Sequence, residues 1–341
     1  MRKSRGFSLI ELSISLLLGS VVVTGVVQLF VANSATYKLL EGQSRMQESA
    51  RFVLEAMGRD IQQAGYIGCL SSKGEIRINV DTASLPYEFD ITSPVAGFEG
   101  SPGGGWVPAL TVLNGIDTAS IATGTDIITL RYVSSLESRL KNELTTSQIM
   151  PKINIEPGWF EFKTGDIAMI HDCEKSTIFR VNALTPNLTA ASTISQELTV
   201  NHWQGGGAAT NITRKLADIN TFSTDAAISA IYTSTYFIAP GTGINNVGGA
   251  PLSLWRKYGV SDPIELVEGV ENIQVLYGVD ALNDDGVPDQ YMAADAVTDW
   301  NSLVTLRVSI TANSVDDVGA TGDGLLHHTF SQTYFLRNHE Q

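Results

Sequence analysis

Residues 1–32, MRKSRGFSLIELSISLLLGSVVVTGVVQLFVA, decide how the rest of the chain is read. From Phe7 to Ala32 the run carries one charge, Glu11. As a helix it reaches roughly 39 Å, enough to cross a bilayer with some tilt. Arg2, Lys3 and Arg5 precede it and no base follows until Lys38. That bias keeps Met1 in the cytoplasm and sends the remainder across the membrane. A secretory signal has a shorter apolar stretch closed by a small-x-small cleavage site. Here the run is too long, and Asn33 occupies the −3 position for a cut after Ala35. Neither cysteine lies near enough for a lipoprotein anchor.

Glu11 is the anomaly, because an ionised side chain at membrane depth costs about 2.5–3.5 kcal/mol and persists where a partner neutralises it. A cut between Gly6 and Phe7 creates an α-amino cation four residues before Glu11, one helical turn away on the same face. The basic leader, Gly6, Phe7 and the following SLIEL resemble the type III signal of type IV pilins and of type II secretion pseudopilins. The resemblance implies that a prepilin peptidase in the membrane removes residues 1–6, that Phe7 becomes N-methylated, and that Glu11 serves subunit docking. A simple signal anchor with an incidental glutamate is the alternative.

Beyond the membrane run the helical pattern continues. Leu39, Met46, Ala50, Val53, Met57, Ile61 and Ala64 form one apolar stripe. Glu41, Arg45, Glu48, Arg51, Glu55 and Arg59 share the other face, with i,i+4 pairs of opposite charge. No proline interrupts 7–64, and Gly65 and Gly68 supply the stop. Gly19, Gly25, Gly42 and Gly58 each cost roughly 0.8–1 kcal/mol relative to alanine, so bending or local melting is expected near them. The chain therefore divides into a leader (1–6), a membrane and assembly helix (7–32), the soluble half of that helix (33–68) and a β-rich globular domain (69–341).

In that last part, short alternating or β-branched runs stand between turn signals. They are 76–80, 126–133, 166–173, 177–184, 226–239, 252–259, 273–279, 303–311 and 328–337. Stretches 93–105, 204–211 and 240–251, rich in Gly, Pro and Ser, read as surface loops. The expected fold class is α+β, pilin-like, with the long helix packed on an antiparallel sheet in one unit. With 43% apolar and 17% charged residues in 341, the chain is neither disordered nor polytopic. A net charge of −14 argues against a nucleic-acid backbone as partner. Cys69 directly follows the helix and Cys173 closes an apolar strand; in an exported protein they read as a disulfide, the alternative being two buried thiols.

RFVLEAMGRDIQQAGYIGC (51–69), HDCEKSTIFRVN (171–182) and LVEGVENIQVLYGVD (266–280) resemble the PilW family of type IV pilus assembly proteins. The resemblance implies a non-enzymatic minor pilin that primes assembly and sits at the pilus tip. Its implied partners are other minor pilins, the major pilin, a large tip adhesin, the prepilin peptidase and the inner-membrane assembly platform. The implied location is the inner membrane of a Gram-negative bacterium with the domain in the periplasm, and afterwards the extracellular tip. The J-type pseudopilin of type II secretion is similar in leader and helix. A periplasmic enzyme or binding protein tethered by 7–32 is a reading of another class.

NDDGVPD (283–289) resembles a calcium loop, with Asn283, Asp285 and Asp289 at ligand positions and Gly286 at the turn. Asp280 and Asp295 are supplementary candidates. Position 1 is Ala281 and position 12 is Met292, so a plain acidic turn is the alternative. The histidines, His171, His202, His327, His328 and His339, lack HExxH spacing, and no nucleophile elbow or phosphate loop occurs. Apart from calcium, no cofactor is expected.

Overall fold

The computed structural model describes residues 8–70, 74–81, 87–110, 115–146, 152–155, 165–181, 183–189, 193–199, 211–212, 216–282 and 285–338. Leu9–Gln63 forms one continuous helix, α1. The strands that follow are β1 (Glu75–Ile78), β2 (Val95–Gly100), β3 (Trp106–Val107), β4 (Ile127–Arg139), β5 (Lys152–Asn154), β6 (Ile167–His171), β7 (Lys175–Arg180) and β8 (Ala183–Thr189). Then come β9 (Thr193–Thr199), β10 (Ala227–Pro240), β11 (Leu252–Tyr258), β12 (Ile264–Glu268), β13 (Val270–Val279), β14 (Gln290–Met292), β15 (Leu303–Asn313) and β16 (His327–Phe335). Every run expected to be a strand contains one.

Among the described residues these strands form three sheets. A nine-stranded sheet runs β1-β7-β6-β10-β4-β2-β3 with β11 and β12 branching from β10. One edge of β10 binds β6 along Ala227–Ala230 and then β11 along Ser234–Pro240, which accounts for the branch. A four-stranded sheet has the order β14-β13-β15-β16, and β5-β9-β8 form a third. Among the described residues the ladders are antiparallel, as expected, apart from β1 with β7, which is parallel. The loop expected at 93–105 also contains a strand: β2 pairs with β4 through Val95–Phe98, because burial of Val95 and Phe98 outweighs the turn-forming flanks. Residues 204–210 lie outside the described residues.

The helix stripe and the inner faces of two sheets make the main core. Met46, Ala50, Val53, Met57, Ile61 and Ala64 are buried with Ile273, Val275 and Tyr277 of β13 and Leu306, Val308 and Ile310 of β15. Burying Val53, Met57 or Ile61 contributes roughly 1.5–3 kcal/mol each. Leu39, at the head of the stripe, is half-buried. Arg307, of opposite parity on β15, is exposed. Of the bending or local melting expected near the glycines, melting does not occur at Gly42 and Gly58, since both lie buried within the unbroken helix. A Cβ at Gly58 would stand 2.4 Å from Cε1 of Tyr334, so the missing side chain admits an aromatic ring against the helix backbone.

Candidate functional site

The two halves of α1 meet different surroundings. From Ser8 to Ala32 no residue is buried; Leu9 is 83% exposed and Phe30 73%. This apolar stretch is long enough to cross a membrane by length and composition. Hydroxyls along it bond back into the helix: Ser13 donates to the Leu9 carbonyl at 2.9 Å, Ser15 to Glu11 at 2.7 Å and Thr24 to Ser20 at 2.8 Å. Such bonds let polar side chains sit in apolar surroundings without an unpaired group. Glu11 lies in the first turn, exposed, with no ion-pair partner for its carboxylate among the described residues. Gly6 and Phe7, on either side of the expected cut, lie outside the described residues.

The second half is gripped by groups that the periodicity does not name. Asp60, 5% exposed, accepts a hydrogen bond from Tyr236 Oη at 2.8 Å and pairs with Arg256 at 2.5 Å. Arg256 also donates to Ser234 Oγ at 2.9 Å, and its guanidinium lies over the Tyr258 ring, 3.9 Å from the centroid. Burial, first, and the neighbouring Asp60 charge raise the Tyr236 phenol well above its ordinary pKa, so it stays a donor. Further along, Tyr334 Oη donates to the Leu54 carbonyl at 2.6 Å, and burial lifts its pKa to about 12.

The helix end is stitched to the large sheet. The Gly65 N–H donates to the Arg131 carbonyl at 2.9 Å, and the Val133 N–H to the Tyr66 carbonyl at 2.7 Å. Asn338 Nδ2 donates to the carbonyls of Gln62, Gln63 and Ala64 at 3.3–3.4 Å, a cap that the sequence pattern conceals. Gly68 takes φ +74°, where a Cβ would strike the His171 ring, and this close approach leads directly into Cys69. Cys69 and Cys173 form a disulfide with Cα atoms 4.8 Å apart. Closing 104 residues of sequence, it contributes on the order of 4–5 kcal/mol of loop entropy.

The expected calcium residues take backbone partners. Asp289 Oδ2 accepts from the N–H groups of Ala281 and Leu282 at 2.9 Å, Asp280 Oδ2 from Gly286 at 2.7 Å, and Asp285 Oδ1 from Val287 at 3.0 Å. Asn283 lies outside the described residues. Among the described residues no group of three or more His, Cys, Asp or Glu is arranged to hold a metal ion. Asp295 belongs to a short turn, Ala294–Ala296, where its charge acts on Glu99 and Asp126. Asp126 was not singled out by its sequence context, yet it joins two sheets: Oδ1 accepts from Gly100 of β2 at 3.0 Å and Oδ2 from Val275 of β13 at 2.8 Å. Burial pushes its carboxyl up to about 6 against the pull of those two donors, with Glu99 and Asp295 adding to the rise.

His171 and His327 both have polar partners. Nε2 of His171, buried, is 3.2 Å from Ser229 Oγ, and desolvation lowers its pKa. His327 sits between Glu271 at 2.8 Å and Asp323 at 3.0 Å; burial opposes its charge, but those carboxylates outweigh it and raise its pKa. His202 and His339 lie outside the described residues.

A leader, an uncovered apolar half-helix and a β-rich domain clamped to the other half define a membrane-anchored subunit of the pilin type. Comparison with known families bears this out: the prokaryotic N-terminal methylation motif matches residues 1–27 and type IV pilus-assembly protein W matches 235–334. Together the two matches support a PilW-family type IV pilus minor pilin. The second match covers Tyr236, Arg256 and Tyr334, three of the residues that hold the helix. No curated protein and no solved structure matches the chain.

Proposed function

We propose that this minor pilin primes assembly of a type IV pilus and remains at its tip, joining other minor pilins to a tip adhesin. The observation that carries the reading is the contrast along α1, apolar and uncovered from Leu9 to Ala32 but locked into its own domain from Met46 onward. A surface of that kind must meet lipid or other helices, and passing from one to the other costs little because both are apolar. The prepilin peptidase cuts after Gly6, and Phe7 is N-methylated. The Phe7 amine of one subunit then meets Glu11 of its neighbour, so that the charge in the anchor is neutralised in the assembled bundle. The family match points to a structural rather than an enzymatic role.

The domain faces the periplasm before assembly, and the inner-membrane platform drives the subunit outward ahead of the major pilin. Helices in a bundle pack about 8–10 Å apart, whereas a domain of this size has a radius of gyration of roughly 18 Å. A terminal position leaves one side of that bulk unobstructed and open to an adhesin. The match to the pilus-assembly family favours the pilus over the J-type secretion pseudopilin. Gly6→Leu is expected to leave an uncut membrane precursor, and Glu11→Ala a cut subunit that assembles poorly. Normal piliation with both refutes the scheme. Gold-labelled antibody against the domain is expected at filament ends, and label distributed along the shaft removes the tip assignment alone.

A further inference from the structure

Where the helix ends on the large sheet, a cleft of about 420 Å³ opens among Tyr66, Tyr132, Tyr232, Gln62, Gln63 and Arg337. It lies roughly 45 Å along the helix from Ala32, well clear of the membrane run. Its volume falls in the range of about 300–1,000 Å³ used for small organic ligands. Tyr132 and Tyr232 are cross-strand neighbours on β4 and β10, with ring centroids 5.6 Å apart and planes inclined by 42°. They form a half-buried platform of two ring faces rather than a closed apolar hole. Tyr66 stands beside it, held by the backbone bond from Val133 to its carbonyl.

The polar lining is selective. Gln62 and Gln63 carry amides that both donate and accept, while Arg337 brings the lining's one formal charge among the described residues. In a chain of 36 acids, no acidic side chain lines this cleft among the described residues, and Arg337 has no ion-pair partner among them. A ligand that satisfies this set has a flat C–H face for the tyrosines, a rim of hydroxyls for the amides and a carboxylate for the guanidinium. Those three features coincide in a uronic-acid sugar. We propose that this cleft binds an acidic saccharide, with the ring on Tyr132 and Tyr232 and its carboxylate on Arg337.

The test uses the full chain in a polyoxyethylene-ether detergent, whose headgroups carry no sugar to compete. Calorimetric titration compares an oligogalacturonate with the neutral galacto-oligosaccharide of equal length. The acidic probe is expected to bind at least tenfold more tightly than the neutral one. Arg337→Gln, at an exposed position, is expected to erase that difference, and Tyr232→Ala to weaken the acidic probe at least tenfold while Tyr232→Phe retains it. Failure of the acidic probe to bind overturns the proposal. So does equal affinity for the two probes, or an Arg337→Gln variant that binds the acidic probe as the parent does. Assembly of the pilus is independent of each outcome.

Discussion

Replacing Asp60 by alanine tests whether the helix is held by a charge as well as by its apolar stripe. The side chains of Asp60 and Arg256 are 8% and 12% exposed. Removing one partner of a buried pair costs about 3–5 kcal/mol, mostly the penalty of stranding the other charge. Arg256 keeps its stacking on Tyr258 and its bond to Ser234, which places the loss near about 3 kcal/mol. Loss of the Tyr236 hydrogen bond adds about 1 kcal/mol. In a domain of this size about 3–4 kcal/mol corresponds to a drop of roughly 5–7 °C in melting temperature. Near-ultraviolet circular dichroism of the full chain in detergent reads it, because the helix itself need not unwind. The double variant Asp60→Leu/Arg256→Met is expected to recover most of the loss, since no charge is left stranded. A single variant melting within about 2 °C of the parent, or a pair worse than the single, refutes the reasoning.

Gly58→Ala is expected to destabilise by about 1–3 kcal/mol in a thermal melt, the opposite sign to an exposed helical glycine, because its Cβ meets the Tyr334 ring. Asp126 binds its proton more tightly folded than unfolded, so its contribution is greatest below about pH 4 and falls by up to about 3 kcal/mol as the pH rises through about 6. Melting temperatures across that window are expected to carry this downward component, and Asp126→Asn to remove it. Glu99, raised chiefly by burial, acts in the same direction. Calcium titrated into the full chain bears on the 280–289 turn: the calcium reading expects heat and a higher melting temperature, both lost in Asp289→Asn. Absence of both retires that reading.

The helix was legible because its signals are redundant: a long apolar run, a stripe at regular spacing and glycines at its close agree on Leu9–Gln63. The longer strands were legible for the same reason. Strand β2 was hidden because glycine and proline at 93–105 speak for local turns, while the pairing with β4 comes from distant residues. The parallel β1–β7 contact likewise joins segments 100 residues apart. Asp60 did leave a trace. It falls three residues after Met57, on the stripe itself, and Arg256 shares the parity of buried Leu254. An acid on an apolar helix stripe and a base on an inward strand face are complementary signals, each of which reads alone as an exception. Asn338 offered no such trace, since a chain end 274 residues away can cap Ala64 only once the domain has folded.

The helix of 55 residues is roughly 82 Å long, and only its second half is seated in the domain. Tension between the anchoring half and the domain therefore loads a projecting rod, and it travels up that rod into the seat. It is shared first by the reversible fastenings at Asp60 and Leu54, which can slip and re-form. Behind them stands the covalent clasp from Cys69 to Cys173, so that traction able to peel the rod from its seat does not draw out the stretch of sequence, 104 residues in separation, that the clasp closes.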